Sequence, residues 1–570
     1  MRSGSVRRAI ATVAAARGSY APPEAFLSRV ATRIAQLPPA PAASGPAPDW
    51  EASTLPGEPE AAGRSAASDA AIFTVGTYAA QAILFVAGVA QKAILGPVGY
   101  GYWALMQTFW TFFSMASLGA QHGATRQIPA HRGRGDFAAA EAVAGTAGSF
   151  SLVAVSLLGS GVAAFAILFG AGWAPEMRFG LVLLGATAPL QYLTDVHEVV
   201  IQAVKRFDSA SLTVVVKAGT ALLLQTFAVY LLGFYGMFLG LVAVNLSAFF
   251  LWARLGLVNR RRPAFRLGID WERLRELIRF GAPIMIYAQV WLLFVAVDSL
   301  IVAGALDVER LGYYALAVSA SGYILYLPRS IGAVLFPRMT ERFAQTGEIA
   351  AIRHYLTDVQ RVLAYLLIPL AVAAGFFGFP VVIRHVLPDF EPAVPVVQIM
   401  MAASFFMALV SMPVKVLITA GYRWSLTLLM LVCLGVNAGL NYTAVVVLDG
   451  GIEAAAGATA VSYLVTFLLT TWYCLSKTLA PRKVLGHIAE LLLVFAHAYA
   501  ALRLVEWGVG SPETAVVPDG ALACLKIAGF LLLMSPWLVL AQRRLEGVSM
   551  LLRAVSGGGR MLRRFVGREA

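Results

Sequence analysis

A few ionisable side chains stand inside long apolar stretches of this chain or flank them, and their chemistry is the most informative in the sequence. They are Lys92, Arg126, Lys217, Asp298 and Arg329. A charged side chain at the bilayer centre costs about 2.5–3.5 kcal/mol on insertion scales, so such residues usually face a wet cavity or a partner. A guanidinium can hold a phosphate through two parallel hydrogen bonds. We therefore take these residues as candidate substrate-binding groups of an internal cavity.

Arg329 gives the strongest indication. It follows Pro328 within YLPRSIGAVLFPR, about two helical turns from the predicted cytoplasmic end of its helix. At that depth a guanidinium either snorkels to the headgroups or faces a cavity, and both interpretations stay open. Snorkelling is the simpler account of Lys92 and Arg126. Asp298 is either a buried structural partner of a basic residue or a group that titrates during transport.

A second group of charges is better explained as structure. Asp195 and Glu198 share a helix face, because residues three apart on a helix are neighbours. Lys205 or Lys217 could neutralise them. We favour a structural network here over a binding site.

The sequence holds no motif for catalysis or for a cofactor. It lacks G-x-x-x-x-G-K-[ST], HExxH and a nucleophile elbow, and its histidines are scattered. The three cysteines fall in apolar helices without metal-ligand spacing. We expect no enzyme activity, no cofactor and no metal. A channel is disfavoured too, because no filter-like segment interrupts the helices.

Composition places these residues in a membrane. The chain is 59% hydrophobic and 13% charged, with a mean hydropathy of +0.73, whereas soluble domains carry about 25% charged residues. Many apolar runs exceed the ~18–20 residues that span a bilayer. The net charge of +13 gathers in short loops between these runs, which is typical of cytoplasmic loops. No nucleic-acid partner is therefore expected.

One local pattern occurs twice. Gly101-Tyr102-Trp103-Ala104-Leu105 matches Gly312-Tyr313-Tyr314-Ala315-Leu316, and each copy follows the end of an apolar helix. Repetition at this spacing predicts a protein built from two similar halves.

We predict an all-α polytopic membrane protein with about fourteen transmembrane helices. Basic residues follow the even-numbered helices and acidic residues follow the odd-numbered ones, which puts both termini in the cytoplasm. The predicted regions are a disordered cytoplasmic tail (1–69), an N-lobe of helices 1–6 (70–257), an interfacial amphipathic linker (258–277), a C-lobe of helices 7–12 (278–480), helices 13 and 14 (481–542) and a basic cytoplasmic tail (543–570).

Two stretches carry a resemblance to a known family. LGPVGYGYWAL followed by LGAQHGATRQIPAHRGRGD resembles the start of bacterial polysaccharide transporters, the Wzx-like oligosaccharide flippases of the MOP (multidrug/oligosaccharidyl-lipid/polysaccharide) superfamily. RFGAPIMIYAQVWLLFVAVDSLIVAGAL and the residues after it resemble helices 7 and 8 of that family. The similarity covers roughly residues 70–480. It implies two six-helix lobes related by a pseudo-two-fold along the membrane normal, plus two C-terminal helices, with a cavity lined by helices 1, 2, 7 and 8.

The resemblance also implies a function. Relatives flip undecaprenyl-diphosphate-linked oligosaccharides from the inner to the outer leaflet of the cytoplasmic membrane, for exopolysaccharide, capsule or O-antigen synthesis, by rocking one lobe against the other. Membrane lipids, a glycan polymerase and a chain-length regulator are the other candidate partners. This chain departs from the peptidoglycan-precursor branch, since helix 1 carries only Lys92 where an arginine triad is expected.

Two alternatives stay open at this point. One is a cation-coupled multidrug antiporter of the same superfamily, in which Asp298 would supply the carboxylate. The other is a non-transporting component of a glycan-synthesis complex. Polymerases of that kind usually expose one long outer loop, and the longest outer connection here, at about 507–519, is short.

Overall fold

A computed structural model describes residues 66–203, 206–256, 268–509 and 516–544. Every regular element in these ranges is a helix, which confirms the predicted all-α fold. The predicted tail at 1–69 lies almost wholly outside the described residues. So do most of the tail at 543–570 and the first half of the linker at 258–277.

The N-terminal lobe is a bundle of antiparallel helices. They are α1 (Ala66–Phe113), α2 (Ala120–Gly133), α3 (Phe137–Phe169), α4 (Pro175–Ala203), α5 (Phe207–Thr220), α6 (Thr226–Leu232) and α7 (Phe234–Arg254), with a π-helical turn at Ala221–Gln225 between α5 and α6. Within this lobe α3 packs along α4, and α1 packs along α5.

The C-terminal lobe and the last two helices follow. They are α8 (Trp271–Ala305), α9 (Val308–Ile324), α10 (Tyr326–Thr346), α11 (Arg353–Val362), α12 (Ile368–Val386), α13 (Val394–Thr419), α14 (Arg423–Tyr442), α15 (Gly451–Leu475), α16 (Pro481–Gly508) and α17 (Val516–Arg544). A π-helical turn at Leu363–Leu367 joins α11 to α12, and another at Thr443–Val447 ends α14. Helix α13 is apolar and buried on nearly all sides, so it forms the centre of this lobe.

Helix α1 consists of two arms that meet at Gly96. This glycine adopts φ 65° and ψ 178°, outside the helical region, and Pro97 follows it. Both arms face the C-terminal lobe: Tyr78 of the first arm contacts Ser330 in α10, whereas Ser114, just beyond the second arm, bonds to Gln289 in α8. The chain therefore reverses direction at Gly96, as the Gly-Pro turn predicted.

Twelve segments of the described residues are long and apolar enough to span a membrane. Two structural features separate this number from the predicted fourteen. The first segment, Val75–Ser117, includes both arms of α1. The eighth predicted helix is broken near Leu325 into α9 and α10, and neither part qualifies by itself. The count of fourteen stays a prediction.

The structure differs from the prediction at the linker. Residues 271–277 do not form a separate interfacial helix; they are the first two turns of α8, which runs on without a break to Ala305. Asp270 caps this helix by accepting hydrogen bonds from the backbone N–H groups of Glu272 and Arg273. The cap explains why α8 begins here, at a position where the hydrophobic pattern alone gives no boundary.

The two ends of the helix bundle differ in charge. The basic end carries the loops that are rich in arginine and lysine, and it includes α2 and the beginning of α8. The acidic end is the opposite one, and it carries Glu176, Asp307, Glu309, Asp389 and Asp449. The predicted orientation places the basic end in the cytoplasm.

Candidate functional site

The two lobes meet along a seam formed by α1 and α2 on one side and α8, α9 and α10 on the other. Along its first stretch, α1 runs beside α9 and α10. The Tyr78 hydroxyl contacts the Ser330 hydroxyl near the basic end. Farther along, the Phe85 ring meets the Tyr323 ring edge-on at 5.1 Å and the Phe379 ring at 5.9 Å. Aromatic contacts thus close the middle of this stretch.

Two glycines from the repeated motif close the seam at the acidic end. A Cβ atom on Gly101 would overlap the carbonyl oxygen of Val308, and one on Gly312 would overlap the carbonyl oxygen of Pro97. Each contacted carbonyl belongs to the residue four positions before the partner glycine. The contact is therefore symmetric between the repeats, and only glycine permits so close an approach of the two backbones. We call these four residues the acidic-end gate.

A different set of small residues closes the seam at the basic end. Gly119 and Gly281 lie with their backbones in direct contact, and a Cβ atom on Gly123 would lie 2.6 Å from the carbonyl oxygen of Leu277. Gln289 donates a 2.6 Å hydrogen bond to the Ser114 hydroxyl beside this contact. We call this region, where α2 crosses α8, the basic-end gate.

The electrostatics of the basic-end gate are set by arginine and not by histidine. His122 lies in α2, outside the membrane-spanning segments, and burial lowers the pKa of its imidazole. His122 is therefore neutral at pH 7. The Arg126 guanidinium lies 4.4 Å from the centre of the Phe280 ring in α8 and is exposed. Its cation thus bridges the two lobes.

Lys92 lies beside the acidic-end gate. Its side chain is 8% exposed, and its ammonium is 4.7 Å from the centre of the Tyr100 ring. Its hydrogen bond to the Gly88 carbonyl is long, at 3.4 Å. The Tyr100 ring in turn packs on Phe390 of the other lobe, with centres 6.2 Å apart. Lys92 is thus a buried cation with weak contacts, enclosed at the seam instead of snorkelling to water.

Arg329 lies at the other end of the same seam. It is exposed, its guanidinium is 5.6 Å from the centre of the Tyr326 ring, and it directly precedes Ser330, the residue that Tyr78 touches. Lys415 of α13 lies across Gly332, one turn farther along α10. The basic side chains of α10 and α13 therefore form a local positive cluster next to the first arm of α1.

The remaining two candidates lie inside the lobes. Lys217 forms a 2.7 Å ion pair with Glu198, which is the structural neutralisation that the sequence favoured. Asp298 is 1% exposed within the C-terminal lobe. It accepts hydrogen bonds from the Tyr314 hydroxyl (2.7 Å), the Ser299 N–H (2.7 Å) and the Thr459 hydroxyl (3.2 Å).

Asp298 therefore differs from the expectation that it pairs with a basic residue, whereas its titration during transport stays a prediction. Within the described residues no basic side chain pairs with it, and it does not reach the seam. Its neighbours are the amides Asn437 and Asn441, which lie one turn apart on α14; the Asn441 amide bonds to Thr459 at 3.1 Å. This carboxyl is thus part of a polar network that ties α8, α9, α14 and α15 together.

Sequence reasoning missed the gates. The motif that contains Gly101 and Gly312 was recognised as a repeat, but its glycines were not recognised as contact points between the repeats. Their signal was present: the same residue type recurs at equivalent positions of both halves. Gly119, Gly123 and Gly281 have no such repeat signal. Their role depends on the crossing of α2 and α8, and this crossing cannot be read from a single sequence.

The sequence pattern of a family described as "Polysaccharide biosynthesis protein" matches residues 66–343. This range includes the N-terminal lobe, α8, α9 and most of α10, and so both sides of the seam. None of the curated proteins matches the chain by sequence.

Solved structures of transporters share the fold. The lipid II flippase MurJ in an inward closed conformation is 12% identical over 82% of this chain and 99% of its own, with a TM-score of 0.58. A multidrug resistance MATE family transporter of the MOP superfamily in its inward-facing conformation is 16% identical over 70% of this chain and 96% of its own, with a TM-score of 0.56. The outward-facing conformation of a MATE family transporter of the same superfamily is 12% identical over 74% of this chain and 96% of its own, with a TM-score of 0.53. The chain is therefore a multi-pass membrane protein with the fold of MOP-superfamily transporters, and just under half of it matches the polysaccharide biosynthesis family pattern.

Proposed function

We propose that this protein flips an undecaprenyl-diphosphate-linked oligosaccharide from the inner to the outer leaflet of the cytoplasmic membrane, for the synthesis of exopolysaccharide, capsule or O-antigen. The observation that carries the proposal is the arrangement of the seam. Each end is closed by a gate of small residues, and cations lie along the seam: Lys92 beside the acidic-end gate, Arg126 at the basic-end gate, and Arg329 with Lys415 in the α10 region near the basic end.

The gates suit alternating access. Glycine contacts hold two backbones together by close packing, without long side chains that would have to disengage. The lobes can therefore separate at one end while the contact at the other end acts as a hinge. The order we propose is opening at the basic end, entry of the polar headgroup, closure, and opening at the acidic end.

The cations of the seam would compensate the charge of the substrate's diphosphate on its way through the membrane. A diphosphate cannot cross hydrocarbon without charge compensation, because an uncompensated charge there is strongly destabilised. Arg329 and Lys415 would receive the diphosphate near the basic end, and Lys92 would hold it near the acidic end. Phosphate recognition by arginine uses its planar fork, whereas lysine acts as a point charge. The polyprenyl chain stays in the lipid beside the seam, since its burial there has no polar cost.

The antiporter alternative finds less support in the geometry. It needs a carboxylate that a drug cation can reach from the seam, and Asp298 is enclosed in the C-terminal lobe by Tyr314 and Thr459. Efflux of a fluorescent cationic dye that depends on Asp298 would favour it. If the protein neither flips lipid-linked sugars nor exports dyes, the result would favour the other alternative, a non-transporting component of a glycan-synthesis complex.

The test uses purified protein in vesicles that contain a short-chain polyprenyl-diphosphate oligosaccharide, with leaflet exposure measured by an added glycosidase or lectin. We expect Arg329→Ala and Lys92→Met each to slow flipping by about tenfold or more, the loss typical of a charge-assisted hydrogen bond to phosphate. Arg310→Ala is the matched control, because Arg310 is an exposed arginine paired with Asp307 at the acidic end. It should leave the rate unchanged.

Equal rates for Arg329→Ala, Lys92→Met and the wild type would contradict the proposed phosphate contacts. No flipping by the wild-type protein, in vesicles where it is folded, would contradict the proposed substrate class. The two failures are distinguishable, because the first is seen among variants of an active protein.

A further inference from the structure

A lateral groove opens on the C-terminal lobe, away from the seam. It has a volume of about 500 Å³ and lies between the π-helical turn that follows α11 and the helices α16 and α17. Its walls include Tyr365, Gly486, Glu490, Leu493 and Trp537. Leu493 is exposed on the outer surface of the helix bundle, at the mouth of the groove. The groove is thus open to the surrounding lipid.

The groove contains an ion pair inside an otherwise apolar and aromatic wall. The Glu490 carboxylate accepts a hydrogen bond from the Tyr365 hydroxyl and pairs with the Arg361 guanidinium at 3.0 Å. The Glu490 side chain lines the groove and is 19% exposed, and Arg361, which is 28% exposed, contacts it directly behind this wall. The Tyr365 and Trp537 rings lie 5.4 Å apart next to this pair.

The depth of the groove fits a lipid headgroup. Glu490 lies nine residues after Pro481, the first residue of α16, and so about 13 Å along the helix from its basic end. The headgroup layer on each side of a bilayer is about 5–8 Å thick. With Pro481 at the outer edge of the headgroup layer, the ion pair would lie about 5–8 Å below the boundary between headgroups and hydrocarbon, within reach of a lipid that docks from the same leaflet.

We propose that this groove binds one zwitterionic phospholipid with a primary ammonium, of the ethanolamine class, through the Glu490–Arg361 pair. The lipid ammonium donates to Glu490 and lies against the Trp537 ring, its phosphate accepts from Arg361, and an acyl chain covers Leu493. The site is separate from the seam and does not depend on the transported substrate.

Charge complementarity selects this class of lipid. A zwitterion can satisfy both members of an ion pair at once, so neither charge is left unpaired in a poorly hydrated place. An anionic headgroup carries no ammonium group of its own, so it would bring a second negative charge to the Glu490 carboxylate. A carboxylate next to aromatic faces is also the arrangement that binds ammonium groups. The groove is thus expected to prefer an ethanolamine headgroup to a glycerol headgroup.

Native mass spectrometry of the full-length protein in detergent tests the site. The probes are synthetic dioleoyl phosphatidylethanolamine and dioleoyl phosphatidylglycerol, added at equal concentration. The wild type should retain one ethanolamine lipid in preference to the glycerol lipid. Glu490→Gln should reduce this preference about tenfold, as expected for the loss of a charge-assisted hydrogen bond.

A second pair of variants keeps the test independent of the ion pair. Gly486 is exposed and no heavy atom lies within 4 Å of its Cβ position, so Gly486→Trp fills the groove without a clash. Gly435 of α14 is equally exposed and equally open, which makes Gly435→Trp the matched control. We expect Gly486→Trp to lose the bound lipid and Gly435→Trp to keep it. Retention of the ethanolamine lipid by Gly486→Trp, or equal retention of both lipids by the wild type, would overturn the proposal.

Discussion

Lys92 and Asp298 are both ionisable residues of apolar helices, but they differ in how many strong contacts they make. Lys92 is held by a ring face and one long hydrogen bond, whereas Asp298 accepts three hydrogen bonds from neighbouring groups. A weakly bonded buried cation is available to a ligand, because binding replaces little. A fully bonded carboxyl is a structural element, because its loss leaves its partners unsatisfied. These contacts separate a candidate binding residue from a residue of the lobe interior.

Asp298 therefore yields a prediction about stability. Asp298→Ala removes the carboxylate that accepts from the Tyr314 hydroxyl, the Thr459 hydroxyl and the Ser299 N–H, and leaves the Tyr314 hydroxyl only the Thr459 hydroxyl as a partner among the described residues. This loss should lower the free energy of unfolding by about 2–3 kcal/mol. Asp298→Asn should cost less, because its shape is retained and the facing hydroxyls can rotate to accept from the new amide. Thermal unfolding in detergent measures the difference. An alanine variant as stable as the wild type would show that the network around α8 is dispensable.

The elements of the seam are held together by backbone contact at both gates. This makes the position of each gate sensitive to a single methyl group. Adding a Cβ at Gly101 or Gly312 has to push α1 and α9 apart, because the atom it meets is a backbone carbonyl oxygen and cannot rotate away.

We expect Gly101→Ala to shift the protein toward a state that is open at the acidic end. The measurement is the labelling rate of a cysteine introduced at Val98, which is 49% exposed in this structure, by a membrane-impermeant maleimide. The rate should rise in Gly101→Ala, while flipping slows. Gly161→Ala is the control, since no heavy atom lies near its Cβ position. The same labelling rate in both glycine variants would refute the gate.

The last helix, α17, is fastened to α12 by another buried contact. The Asp519 carboxylate is 2% exposed; it accepts hydrogen bonds from Arg384 at 2.8–3.0 Å and lies 3.0 Å from the His385 ring nitrogen. An arginine and a histidine thus converge on one carboxylate, and these contacts fix the start of α17 on the lobe.

Asp519→Asn should destabilise the protein by about 3 kcal/mol, because removing one member of a buried pair leaves the other charge uncompensated. It should also speed hydrogen exchange at the start of α17. Glu506→Gln is the comparison, since the Arg503–Glu506 pair lies in the same region but its arginine is 58% exposed, and such pairs contribute little. An unfolding midpoint for Asp519→Asn equal to that of Glu506→Gln would contradict this account.

At the scale of the whole molecule, much of the fold can be predicted from the sequence, but which side of each helix faces the seam cannot. Apolar length predicted the membrane helices, and the repeat at Gly101 and Gly312 predicted the two halves. Helix α8, in contrast, is apolar on most sides, so its sequence does not distinguish the face toward the seam from the face toward the lobe. This is why Asp298 was placed in a cavity. The glycine gates were missed for a related reason, since their meaning lies in a crossing between distant helices.

The central claim is that the two gates open alternately. Distances between spin labels measure this directly, with one pair at Val98 and Ala305 across the acidic-end gate and another at Thr125 and Glu276 across the basic-end gate; all four residues are exposed. Both gates are closed in this structure, so on addition of a polyprenyl-diphosphate oligosaccharide we predict that one distance lengthens while the other keeps its closed value. Lengthening of both distances in the same molecules, or no change in either while the substrate is bound, would contradict the account.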